Sequence, residues 1–162
     1  MDLGDNYDAI VIGGGASGLA AALTATRRGL RTCILERDVS CGLKILATGN
    51  GRCNLSNVSL NSEHYLHPEF ARAIMGEDAE RELECLFTSL GIMTARENDR
   101  LYPYSFRAES VRDALLGACR RAGVDIVCGV SVRAASKGAD GIWTLTIDRP
   151  AGKLRFKPQR DQ

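Results

Sequence analysis

Charge of one sign is what this sequence has least of. Its 21 lysines and arginines meet 20 acids, which leaves a net charge of +1 at neutral pH. With no run of basic residues to break that balance, the chain projects no long-range field, and neither nucleic acid nor an anionic membrane is expected as a partner. Long hydrophobic runs are also missing. The uncharged stretch Ala9 to Ala25 is mostly glycine and alanine, too weakly apolar to repay insertion into a bilayer, and acids rather than bases precede it. Histidine is confined to His64 and His67. No neighbouring Cys, Asp or Glu completes a convincing ligand set around that pair, so both read as surface residues and no metal is expected. No Ser/His/Asp or Cys/His arrangement has the spacing of a nucleophilic site, and no catalytic acid or base is named. The six cysteines (Cys33, Cys41, Cys53, Cys85, Cys119 and Cys128) contain no C-x-x-C, and no secretory signal is recognisable. They read as reduced thiols of a cytoplasmic protein, with Cys33 and Cys128 as small buried hydrophobes.

What the chain does have lies between Tyr7 and Glu36. Tyr7 to Ile12 read as a buried strand. Gly13, Gly15 and Gly18 then fill a G-x-G-x-x-G, with separate tasks of tight turn, backbone approach to a pyrophosphate, and close helix–strand packing. A helix opening at about Ala16, with Ser17 in its first turn, carries Leu19, Ala22, Leu23 and Thr26 at helical spacing and stops at Gly29. Its N-terminal N–H groups and dipole would hold phosphate without a lysine. Arg31 to Leu35 read as a second strand ending at Glu36, about twenty residues after Gly15, where a carboxylate accepts from ribose hydroxyls and repels a 2′-phosphate. FAD or NAD is therefore expected rather than NADP.

The stretch from Glu36 to Pro68 shows little periodicity, yet Gly42 to Ala47 is too apolar for a solvated tail. Thr48-Gly49-Asn50-Gly51-Arg52-Cys53-Asn54 is dense in residues that tolerate positive φ, and predicts a nest for an anion or ring edge with Arg52 as a fixed cation. Cys53 there is either a packing residue or a thiol facing the cofactor. Helices are predicted over Phe70 to Met75, Ala79 to Leu90 (stripe Leu83, Leu86, Phe87, Leu90) and Ala108 to Ala122. Ile92 to Ala95 predicts a short strand, Arg100 to Ser105 an extended segment or turn in which Tyr102 and Tyr104 are packing or rim residues, and Val124 to Val127 a third parallel strand. Ile142 to Ile147 and Lys153 to Phe156, joined by a turn at Arg149-Pro150-Ala151-Gly152, predict a β-hairpin outside the parallel sheet.

Ala9 to Leu19, Leu35-Glu36-Arg37, Gly42 to Asn57, Arg100 to Ser105 and Val124-Asp125-Ile126 together resemble the BaiN/RdsA-type (YhiN-type) NAD(P)/FAD-dependent oxidoreductases. The Gly42 to Asn57 piece is the specific part. The resemblance implies an α/β fold: a Rossmann-like FAD-binding domain, a parallel sheet with a β-hairpin crossover, here incomplete. Residues 1–162 would be the N-terminal part of that domain, lacking the inserted substrate domain and the C-terminal return segment. It further implies that Gly13, Gly15 and Gly18 hold the pyrophosphate at the Ala16–Ser17 helix start. Glu36, with its neighbour Arg37, would hold the adenosine ribose; Lys44 and the Thr48 to Asn54 turn would serve the flavin side; and the Val132 backbone would meet the adenine. The implied activity is FAD-dependent oxidation or reduction of a small organic substrate, with NAD(P)H as a transient reductant. The alternatives are a nucleotide-binding module without turnover and an FAD-containing RNA-modifying enzyme.

Overall fold

The computed structural model describes residues 6–148. The expected strand Lys153 to Phe156 and the turn at Arg149 to Gly152 lie outside them. The elements run β1 (Ala9–Ile12), α1 (Ala16–Arg27), β2 (Thr32–Leu35), α2 (Leu43–Ala47), β3 (Ser56–Asn57), α3 (Pro68–Met75), α4 (Ala79–Ser89), β4 (Thr94–Glu97), β5 (Arg100–Pro103), α5 (Ala108–Ala122), β6 (Asp125–Val127), β7 (Ser131–Lys137) and β8 (Trp143–Asp148). They pack as two units, one comprising the chain up to Lys44 and from Leu115 onward, the other Ile45–Ala114.

The first unit is built on a parallel sheet of order β1-β2-β6. Ala9 sits opposite Thr32 and Ile12 opposite Leu35, while Cys33 and Leu35 face Asp125 and Val127 on the other neighbour. α1 packs on β1 and β2, burying Leu19, Ala22 and Leu23, and α5 lies beside it, with the Cys119 thiol 3.4 Å from the Leu19 carbonyl. Because side chains alternate along a strand, Cys33 and Leu35 share one face of β2. With Tyr7, Val127, Val130, Leu145 and Ile147 they form a buried apolar cluster. Leu145 and Ile147 alternate with exposed Thr144 and Thr146 on β8, so this strand has one apolar face and a polar one. The unit therefore stacks helices, parallel sheet and hairpin, an α/β fold of Rossmann type.

Two expectations are corrected here, and one strand was not foreseen. β8 pairs antiparallel with β7, with Val132 opposite Ile147 and Lys137 opposite Trp143; the expected partner Lys153 to Phe156 lies outside the described residues. Serine, arginine and alanine dilute β7, which hid it from a propensity reading. β1 is shorter and less buried than expected, and Ile12 at its end is 59% exposed, since β1 has a single ladder partner among the described residues. Cys128 follows β6 and is only partly buried, unlike Cys33.

The second unit holds an antiparallel sheet of order β3-β5-β4, with Ser56 opposite Leu101 and Arg96 also opposite Leu101 on the other side. The stretch expected to lack regular structure thus contains α2 and β3. Their brevity leaves no period to read. The short strand lies two residues later than predicted, at Thr94–Glu97, because Ile92 instead closes the end of α4 by donating to the Phe87 carbonyl (2.9 Å). The α4 stripe is core as expected, with Phe87 and Leu90 buried and Leu83 and Leu86 half-buried.

Ile147 joins the hairpin to the sheet and is 2% exposed. Ile147→Ala is expected to lower the unfolding free energy by about 2–4 kcal/mol, measured by urea titration, since the cavity opens in the shared core.

Candidate functional site

β1 runs into α1 through Gly13-Gly14-Gly15. The Gly13 N–H donates to the Leu35 carbonyl at 2.8 Å, which ties the turn to the end of β2. Gly13 takes φ +101°, a conformation that strains any L side chain. A methyl group on Gly18 would overlap the Gly13 carbonyl oxygen and stand 3.3 Å from Val11 Cγ1. Gly15, at the N-cap, differs from both: an added Cβ there meets nothing within 4 Å. Gly13 and Gly18 are thus needed to make the corner, whereas Gly15 borders open space. α1 has no side-chain cap and no acid in its first turn, and Ala16 and Ser17 are exposed. Its first N–H groups, which a helix cannot satisfy internally, and its positive dipole end are presented together. That arrangement suits a phosphate or pyrophosphate.

Glu36 meets this corner from β2. Its Oε2 accepts from the Gly14 N–H at 2.6 Å and its Oε1 from the Asp38 N–H at 2.8 Å. Burial opposes ionisation of the carboxyl, but the backbone N–H groups of Asp38, Gly14 and Arg37, with the Arg37 charge, outweigh it and hold the pKa below the ordinary value. An ionised carboxylate has about four lone-pair sites, so the two hydrogen bonds leave room for hydroxyl donors. Main-chain bonds hold the approach to Glu36 as well: its N–H donates to Val127, its carbonyl accepts from Val130, and the Asp38 carbonyl accepts from Gly129. Val132 lies two residues further along, its side chain packed on the apolar cluster. Arg37 is exposed, its guanidinium 3.9 Å from the Asp38 carboxylate.

Gly14 and Cys41 were missed by sequence reasoning. A Cβ on Gly14 would collide with Cys41 Sγ and lie 3.2 Å from Glu36 Oε2, and the Gly42 N–H donates to the Gly14 carbonyl at 2.8 Å. The available signal was a third consecutive glycine where the motif needs only two. Burial pushes the Cys41 thiol up to about 12, helped by the neighbouring Cys128, whose Sγ lies 3.9 Å away.

The remaining predicted residues belong elsewhere. Lys44 is exposed on α2, and Thr48 to Asn54 form a turn in the second unit. There Gly49, Asn50, Gly51 and Cys53 all take positive φ, as the composition predicted. Arg52 N–H donates to Gly49 and Cys53 N–H to Thr48, each at 3.1 Å. Arg52 is fixed, but its charge is already engaged: it pairs with Glu97 at 2.5 Å and lies over the rings of Tyr102 and Phe106 at 4.4 and 4.8 Å. Cys53 is buried and Tyr102 packs while Tyr104 stays exposed. A concavity of about 630 Å³ in this unit, lined by Leu60, Arg72, Asp78 and Glu84 among others, includes no predicted site residue. Among the described residues no group of His, Cys, Asp and Glu is placed to hold a metal, and no helix is long and apolar enough to cross a membrane.

Comparison with known proteins places this geometry. A family model described as the HI0933-like protein Rossmann domain matches residues 7–157. A 3-dehydro-bile acid delta(4,6)-reductase of Clostridium scindens is 42% identical over 81% of this chain and 33% of its own length. A ribosomal RNA dihydrouridine synthase of Escherichia coli is 26% identical over 89% of this chain and 36% of its own. The chain therefore spans about a third of the length of these curated relatives. The structure of a 3-ketosteroid-delta4-(5alpha)-dehydrogenase from Rhodococcus jostii superposes with a TM-score of 0.64 at 15% identity, over 99% of this chain and 45% of the other; it speaks to the fold alone.

Since folding lowers the Glu36 pKa, the ionised carboxylate favours the folded state. That contribution is complete above the unfolded-state pKa, about 4.3, and is lost as pH falls through the folded-state value. The stability gap between the wild-type protein and Glu36→Gln should therefore be widest near neutrality and close in acid, as read by denaturant midpoints across pH; a gap that widens in acid contradicts this account. Gly18→Ala should cost about 1–3 kcal/mol in the same assay.

Proposed function

The chain belongs to the HI0933-like protein Rossmann-domain family, and from that premise we propose that it forms the adenosine end of an FAD site in an oxidoreductase of the cytoplasm. The observation that carries this reading is the pairing of an uncapped helix start beside open space at Gly15 with an ionised Glu36 fixed on Gly14. The N–H groups at Gly15, Ala16 and Ser17 would take the pyrophosphate, with Gly13 and Gly18 shaping the corner. Glu36 would take the adenosine ribose, the charge of its exposed neighbour Arg37 favouring the ionised carboxylate, and the Val132 backbone would border the adenine. Lys44 and the Thr48–Asn54 turn, including Gly49, Asn50, Gly51, Arg52 and Cys53, would serve the flavin side. With Arg52 paired to Glu97, its part is to hold the turn's form rather than to act as an unpaired cation.

FAD when bound supplies hydride chemistry, and the protein supplies position and electrostatics. The substrate class is a small organic molecule and NAD(P)H the electron donor. The bile-acid reductase named above, a relative at 42% identity, supports reduction of an organic substrate as the direction of turnover.

A second reading has its own support. α1 and α5 both precede strands of one parallel sheet, so their last turns share an edge, and Arg27, Arg28, Arg120 and Arg121 stand exposed there. None of the four forms an ion pair among the described residues. RNA would be the anionic partner of such an edge, in keeping with the relative named as a ribosomal RNA dihydrouridine synthase.

Gly15→Ala separates folding from binding, because its methyl enters empty space. In protein expressed at the length its gene encodes, flavin absorbance should survive desalting and bleach with NADH. Gly15→Ala and Glu36→Ala should each weaken FAD binding at least tenfold, while Gly15→Ala leaves the unfolding midpoint unchanged. A colourless protein after FAD addition rejects the proposal. RNA retention that weakens steeply with salt would favour the second reading.

A further inference from the structure

At Gly14 the glycine corner is closed by sulfur, whereas at Gly15 it borders open space. Cys41 Sγ occupies the position a Gly14 side chain would take, and Cys128 Sγ, 87 residues away in sequence, lies 3.9 Å from it. The two thiols flank the segment that carries Glu36, which is bonded to Val127 and Val130 on the Cys128 side, while Gly42 beside Cys41 is bonded to Gly14. Cys128 is partly exposed and Cys41 is buried. Neither thiol has a part in the binding role proposed above, and no metal group forms around them among the described residues.

We propose that Cys41 and Cys128 are a reversible dithiol–disulfide site, oxidised by low-molecular-weight disulfides such as oxidised glutathione, and that closing it disturbs the nucleotide corner. The accessible Cys128 thiolate attacks one sulfur of the small disulfide, forming a mixed disulfide and releasing one small thiolate, which takes up a proton. Cys41 then loses its proton to solvent and attacks Cys128 Sγ, expelling the second small thiolate, which is protonated in turn. Two protein thiols are oxidised and one small disulfide is reduced to two thiols. Burial raises the Cys41 thiol and lowers its thiolate fraction, so Cys41 takes the second, intramolecular step, where proximity of the two sulfurs offsets the scarcity of thiolate. A disulfide needs the sulfurs about 2 Å apart. Closing a 3.9 Å gap to that length displaces the Cys41 and Cys128 segments relative to each other, and the Cys41 segment is tied to the corner by the neighbouring Gly42–Gly14 hydrogen bond, so the proposed closure reaches Gly14 through it. Binding geometry tolerates shifts of only about 0.5 Å.

The consequence for FAD rests on the function proposed above, so the test has readouts that do not need FAD. The purified protein would be incubated with oxidised glutathione and mapped by non-reducing peptide mass spectrometry, with amide hydrogen exchange followed in the 13–15 and 36–42 segments. The expected result is a Cys41–Cys128 cross-link two hydrogens lighter than the dithiol, faster exchange in both segments, and full reversal by dithiothreitol. Cys128→Ser should abolish the cross-link and the exchange change while keeping the exchange pattern of the reduced protein. FAD affinity of the wild type should fall at least fivefold on oxidation and that of Cys128→Ser should not. Glutathione on the exposed Cys85 without any Cys41–Cys128 link would overturn the site, and a link that leaves exchange unaltered would overturn its effect on the corner. Absence of FAD binding by the reduced protein counts against the proposed function only, since cross-link and exchange still decide this inference.

Discussion

The close approach of α1 to the end of β1, which leaves no space for a Cβ between Gly18 and the Gly13 carbonyl, is the constraint from which the site follows. A helix can press that near a strand only where no Cβ intervenes. Once there, its N-terminus is fixed beside the carboxyl ends of two strands, and its unsatisfied N–H groups point out of the fold rather than into it. Gly13 supplies the turn and Gly15 leaves the approach open. Each glycine thus does something different, and only two of the three serve the protein's own packing.

Glu36 converts this packing feature into an electrostatic one. Main-chain donors hold the carboxylate against Gly14 and keep it ionised, so a negative charge stands next to a helix dipole's positive end without cancelling the N–H groups beyond it. The hairpin β7–β8 contributes from the far face of the sheet, where Leu145 and Ile147 complete the cluster that holds Leu35, the residue just before Glu36. The position of Glu36 is thereby supported through the core, and the interior position of Cys41 belongs to the same arrangement.

The second unit obeys a different logic. Its turn at Thr48–Asn54 is locked by positive-φ residues and by Arg52, whose charge is spent on Glu97 and on two aromatic rings. Arg52 looked in the sequence like a cation awaiting a ligand. Residues 45 or more positions away supply its partners, and no local pattern reveals them. Gly14 and Cys41 were overlooked for the same reason, since their contact joins segments separated by a helix and a strand. β7 was missed because its strand character comes from pairing with β8 rather than from its own composition.

The sequence by itself determined the strand–glycine–helix–strand–acid order, the parallel third strand, the core stripe of α4 and the positive-φ character of the second turn. Those features are short-range, written in the spacing of apolar residues and in the conformational range of glycine and asparagine. Tertiary structure alone decided which strand β8 pairs with, which charges are already neutralised, and which thiols meet. Such pairings depend on chain segments far apart in sequence being brought within a few ångströms by burial of a shared core, and no local residue pattern encodes that distance.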